Sequence, residues 1–148
     1  MYSSKSCLSD TKPERNLANI LEIITPTGHG ITGGDVITIN GQDYSFDRTL
    51  TWFTGTSMQA KKRIRFEAHA DHDWFDRPKA DIKKCELIAQ YENLIDIFLD
   101  GVQMKNWCEQ IIFAIKDAMD DVNKGKRIYR SIYQNKGVLH IGNRVGIF

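Results

Sequence analysis

The sequence predicts an α+β fold: an antiparallel sheet of about four strands, a meander with an Asn-Gly hairpin, packed on two long C-terminal helices and preceded by a short N-terminal helix. Three observations carry this expectation. Asn40-Gly41 separates two short runs of alternating residues. The segment Lys62 to Ala70 alternates strictly, with Ile64, Phe66, Ala68 and Ala70 on one side. After Pro78 the apolar period lengthens from 2 to 3.6, the change expected where a chain passes from strands to helices.

Residues 1–10 are polar and patternless and read as a tail, leaving residues 11–148 as a single α+β domain. Thr11-Lys12-Pro13-Glu14 reads as a helix start, with Thr11 as cap and Pro13 in the first turn, where a missing N–H is harmless. Leu17, Ile20, Leu21 and Ile24 then form one apolar stripe, and Thr25-Pro26 ends the helix. Gly28 to Gly34 has the bare glycine spacing of a dinucleotide fingerprint. It lies after a helix and before a strand, the reverse of what phosphate binding at a helix N-terminus requires, so it reads as a connector.

Asn40-Gly41 tolerates the positive φ angles of a type I′ turn. It should pair Ile39 with Gln42 and Ile37 with Tyr44, and place Ile37, Ile39, Tyr44 and Phe46 on one face. A third strand is expected over Thr49 to Phe53 and a fourth over Lys62 to Ala70. Ile82, Cys85, Ile88, Ala89, Ile95, Phe98 and Leu99 fit one helix of about 20 residues ending near Asp100-Gly101. Met104 to Val122 fit a second helix, ending near Lys124-Gly125. Residues 127–133 fit both periods, and residues 137–148 look extended with a turn at Gly142-Asn143.

A chain of 148 residues buries about two thirds of its unfolded surface without staples. Its 41% hydrophobic and 26% charged content is that of an ordinary globular protein. Cys7, Cys85 and Cys108 are odd in number and widely spaced, which argues against a disulfide framework or a cysteine zinc site and for a cytoplasmic location. No signal peptide or membrane span is legible. Net charge is only +1, but residues 1–66, 67–123 and 124–148 balance at +2, −7 and +6. Such segregation fits either a basic end folded onto acidic helices or a basic surface for an anionic partner.

The densest chemistry lies in Glu67-Ala68-His69-Ala70-Asp71-His72-Asp73. On a strand, Glu67, His69 and Asp71 share the polar face, and His72 joins them only if the strand ends before it. Carboxylates with an imidazole suit manganese, magnesium or zinc, so Glu67, His69, Asp71 and His72 are the candidate metal ligands, with a further ligand needed from elsewhere, such as His29 or Asp43. The plainer reading is a solvated strand end. The order of these residues departs from the His-x-His-x-Asp-His of the metallo-β-lactamase fold. Asp43 followed by Glu67-Ala68-His69 is similar only in outline to the Asp and later Glu-x-Lys of restriction-type nucleases, with His69 where the lysine stands. No family is assigned on so few residues.

The second candidate is the basic segment, where Lys124, Lys126, Arg127, Arg130 and Lys136 lie among Tyr129 and Tyr133 and suit phosphate contact and base stacking. The whole domain lacks the strongly basic balance of a dedicated nucleic-acid binder. The leading expectation is therefore a small cytoplasmic, non-enzymatic binding or interaction protein, of inhibitor or accessory-factor type, with a protein partner or a second copy of itself and no cofactor or membrane. The alternatives are nucleic-acid binding through the basic C-terminal segment, and a metal-dependent hydrolase or nuclease that uses the His-Asp cluster with a divalent ion.

Overall fold

The computed structural model of the protein describes residues 12–25, 30–53, 61–69 and 74–143. Helix α1 (Pro13–Ile24) begins with proline in its first turn and buries Leu17, Ile20 and Leu21 of the expected stripe together with Asn16, while Ile24 is half-buried. Its N-cap is Lys12, with no side-chain capping bond. Thr11, expected to cap, lies outside the described residues.

The strands are β1 (Ile31–Thr32), β2 (Val36–Ile39), β3 (Gln42–Ser45), β4 (Arg48–Phe53) and β5 (Lys61–Ala68). After α2 (Lys79–Ala89) come β6 (Leu94–Phe98), α3 (Gly101–Asn106), α4 (Cys108–Asn123), β7 (Tyr129–Asn135) and β8 (Val138–Asn143). The Asn40-Gly41 hairpin pairs Ile39 with Gln42 and Ile37 with Tyr44, as the turn chemistry dictates. Both turn residues have positive φ, 53° and 78°.

The expected four-stranded antiparallel sheet on two long C-terminal helices is wrong. The main sheet has six strands in the order β1-β4-β5-β6-β7-β8, and the β2-β3 hairpin forms a separate pair. Pairings β5-β6 and β6-β7 are parallel, while the outer pairings are antiparallel. Parallel neighbours require crossovers, which α2 supplies between β5 and β6, and α3-α4 between β6 and β7.

The error lies at residues 90–99. Leu94-Ile95-Asp96-Ile97-Phe98 is buried at every position, and a strand covered on both faces reads as an unbroken apolar run rather than an alternation. Ile95, Phe98 and Leu99 also fit the helical stripe of α2, and that coincidence hides the strand. The ambiguous 127–133 segment is a strand from Tyr129 for the same reason.

The two faces of the sheet divide the core. Leu50, Ile64, Phe66, Ile95, Ile97 and Ile132 point to one face and pack against α1 and α4. The other face carries Leu94 and Tyr129, which pack with Cys85, Ile88 and Ala89 of α2 and with Ile39 and Phe46 of the hairpin region. Each fully buried aliphatic or aromatic side chain contributes about 1.5–3 kcal/mol by leaving water. Asn93 ties the starts of the central strands together. Its Nδ2 donates to the Arg63 carbonyl at 3.0 Å, its Oδ1 accepts from the Ile128 amide at 3.0 Å, and its own carbonyl accepts from the Arg65 amide at 2.8 Å.

Candidate functional site

Because side chains alternate along each strand, the face beneath α2 receives Arg65 and Glu67 from β5, Leu94, Asp96 and Phe98 from β6, and Tyr129, Ser131 and Tyr133 from β7. The register places Glu67 opposite Asp96, and Asp96 opposite Ser131. Three polar residues thus form one row across the central strands, all of them buried. A second row lies one step toward the strand ends. His69 stacks on Phe98 with ring centroids 4.6 Å apart, and Tyr133, opposite His140 on β8, stacks on it at 5.2 Å.

His69 Nε2 sits 3.4 Å from Glu67 Oε2 and 3.4 Å from Asp96 Oδ1, bridging the two carboxylates. Asp96 Oδ2 accepts from the Tyr129 hydroxyl at 3.0 Å. Donor atoms of Glu67, Cys85 and Asp96 all lie within 4.8 Å of one another. Asp47, just before β4, accepts from the Ala68 amide at 2.7 Å and fixes the backbone between Glu67 and His69. Glu67 Oε1 is buried without a hydrogen-bond partner among the described residues; Lys84 Nζ stands 3.6 Å away, beyond hydrogen-bond range.

The electrostatics follow from this crowding. Burial, then the neighbouring Asp96 charge, raise the Glu67 carboxyl above its usual range, against the opposing pull of Lys84 and His69. Burial alone would lower the His69 imidazole, but its hydrogen bond to Asp96 and the charges of Asp96, Glu67 and Asp47 outweigh this and raise it. Burial, then the Asp96 and Glu67 charges, push the Cys85 thiol far up. Burial and the Asp96 charge do the same to the Tyr129 hydroxyl. Cys85 and Tyr129 therefore keep their protons at neutral pH. Between α2 and the sheet, His69, Cys85, Asp96, Phe98 and Tyr129 help to line a nook of about 10 Å³. That is the room of about one water-sized sphere.

Of the expected metal ligands, the structure brings Glu67 and His69 together. Asp71 and His72 lie outside the described residues, as does His29. Asp43 is in the hairpin, accepting from Thr38 Oγ1 at 2.6 Å, and takes no part. His140 lies in the aromatic row on β8. Asp96, Asp47 and Tyr129 were missed as site residues. A lone carboxylate inside the run Leu94-Ile95-Asp96-Ile97-Phe98 was the available signal, since a charge in a buried strand is costly unless it is paired.

The basic segment divides. Arg130 points to the α4 face, with a 7% exposed side chain that pairs with Asp117 at 3.1 Å and with Asp121. Lys124 caps α4, and Lys136 occupies the β7-β8 turn with φ 51°. Lys126 and Arg127 line an open cleft with Lys61, Lys62 and Arg63, at the opposite end of the strands from Glu67. No helix among the described residues is long and apolar enough to cross a membrane. Comparisons with protein-family models, curated proteins and solved structures find no significant match.

Proposed function

We propose that the protein is a hydrolase of phosphoesters that depends on a divalent cation, with Glu67, Asp96 and His69 as the cation's ligands. One observation carries this reading. Glu67 Oε1 is buried, has no hydrogen-bond partner among the described residues and stands beside Asp96 in register. Two carboxylates desolvated side by side repel, and a hard cation between them turns that repulsion into ligation. Two oxygen donors and an imidazole suit magnesium, manganese or zinc. The Tyr129 hydroxyl fixes Asp96 on the side away from His69, the kind of supporting bond that orients a ligand. Glu67 and His69 also lie at the carboxyl end of β5, the end of parallel strands at which open sheets bind ligands, with Asp96 at the middle of β6. A bound cation would supply an activated water, and Lys84 beside Glu67 favours an anionic ester over a neutral one.

The test is a melting curve with 1 mM manganese beside an assay of bis(p-nitrophenyl) phosphate hydrolysis. At 100 times the dissociation constant a cation stabilises the folded state by about 2.7 kcal/mol, a rise of about 5–10 °C for a chain of this size. Glu67→Gln and Asp96→Asn should abolish both the rise and the turnover, whereas His140→Ala should leave the rise intact. An unmoved wild-type melting curve together with no turnover would refute the reading.

The alternative, a non-enzymatic interaction protein or homodimer, draws on Val102 of α3 and Phe113 of α4, which are 55% and 73% exposed. Solution mass tests it: a monomer unaffected by Phe113→Ser removes its support.

A further inference from the structure

We propose that the cleft at the amino-terminal end of β5 binds the phosphate backbone of single-stranded nucleic acid. The cleft holds about 490 Å³ and is lined by Lys61, Lys62, Arg63, Lys126 and Arg127, with Tyr91 also on its wall. Among the described residues, Glu92 is the one carboxylate in the lining, and its charge is already engaged. It accepts from Arg63 at 2.9 and 3.2 Å and from Arg65 at 2.7 Å. Asp121, 3.8 Å from Lys126, is shared with Arg130. Cations therefore outnumber carboxylates in a concave site of a protein whose total charge is only +1.

The fold builds this site deliberately from separate segments. Lys61, Lys62 and Arg63 open β5, opposite Phe53, Trp52 and Thr51 of β4. At the end of α4, Gly125 takes φ 85°, a conformation that suits glycine, and the chain turns so that Lys126 and Arg127 lead into β7. Asn93 bonds to the backbone of Arg63 and of Ile128, which holds the two basic walls at a fixed separation. Preorganised walls reduce the ordering cost of binding. Tyr91, 52% exposed, offers a ring on which an unpaired base can stack, so a single strand fits better than a duplex.

This site is distinct from the cation site. Six residue steps of extended strand from Lys61 to Glu67 span about 20 Å. Its test is made in EDTA, which keeps that other site empty. Fluorescence anisotropy of a labelled 12-nucleotide oligothymidylate is measured from 50 to 200 mM KCl. With about four phosphates neutralised, log K should fall against log salt with a slope of about −2.8, so affinity drops about 50-fold over that range. Lys126→Ala with Arg127→Ala should reduce the slope to about −1.4 and the drop to about 7-fold. A melting curve confirms that this double variant stays folded; the Lys126 side chain is 63% exposed, so little stability is at stake. A slope near zero, binding unchanged in the double variant, or binding to anionic lipid vesicles without binding to the oligonucleotide would each overturn the proposal.

Discussion

Replacing Arg65 by methionine should destabilise the protein by about 3 kcal/mol at pH 7. The Arg65 side chain is 6% exposed and leaves four partners. Its Nε donates to Glu92 at 2.7 Å, and because Glu92 is itself only 11% exposed, that charge-assisted bond contributes about 1.5–3 kcal/mol. Nη1 donates to the buried Thr49 hydroxyl at 2.8 Å, about 1 kcal/mol more. Asp35, 3.1 Å away, is 34% exposed, so its bond is screened and contributes roughly 0–1 kcal/mol. The guanidinium also lies 5.2 Å from the Phe46 ring centre, a contact of about 1 kcal/mol. Two effects offset the loss: methionine fills most of the vacated volume, and Arg63 keeps Glu92 ion-paired. The acid limb checks the mechanism. Burial would raise the Glu92 carboxyl, but hydrogen bonds from Arg63 and Arg65 and their charges outweigh it and hold it below its ordinary 4.5. A depressed carboxyl contributes stability that is present above that ordinary value and disappears as pH falls through the folded one. The gap between wild type and variant should therefore narrow toward pH 2. Urea denaturation followed by circular dichroism at both pH values measures it. A cost under about 1 kcal/mol at pH 7, or a gap that does not change with pH, would refute the reasoning.

Arg130→Ala should cost about 2 kcal/mol, since it loses one bond to exposed Asp117 and one to mostly buried Asp121, and should leave the salt slope of oligonucleotide binding untouched. A slope reduced by about 0.7 would mean instead that this arginine reaches a phosphate. Cys85, buried with its thiol pushed up, should resist iodoacetamide at pH 8 in the native protein and react on unfolding; peptide mapping that finds native Cys85 alkylated rapidly would contradict its placement.

What was legible in the sequence was whatever depends on neighbours along the chain. The Asn40-Gly41 turn set its own register, the alternation from Lys62 located β5 and put Glu67 and His69 on one face, and the stripe of α1 named Leu17, Ile20 and Leu21 among its buried residues. The parallel centre was hidden because no local signal marks it. A strand buried on both faces loses its alternation, and the apolar residues of β6 happened to continue the helical spacing of α2. The site inherited that gap. Asp96 meets Glu67 only through pairing across a crossover, and Tyr129 reaches Asp96 from a third strand, so neither contact could be inferred while residues 94–98 were read as helix. The basic segment shows the reverse case: its charge was evident, yet the strand geometry that sends Arg130 to the α4 face and leaves Arg127 at the cleft was not.

The Asn93 bonds also show how non-local the centre of the sheet is. A hairpin zips from its turn, but the central strands here have no turn between them. The Asn93 side chain joins a carbonyl 30 positions earlier to an amide 35 positions later, so both bonds close long loops before either is rewarded. Pairings of this separation raise contact order, and chains rich in them fold more slowly than meanders do. Until β6 docks, the polar row of Glu67, Asp96 and Ser131 does not exist as a row. A chain halted before β7 would carry Glu67, His69 and Asp96 without the tyrosine that fixes Asp96.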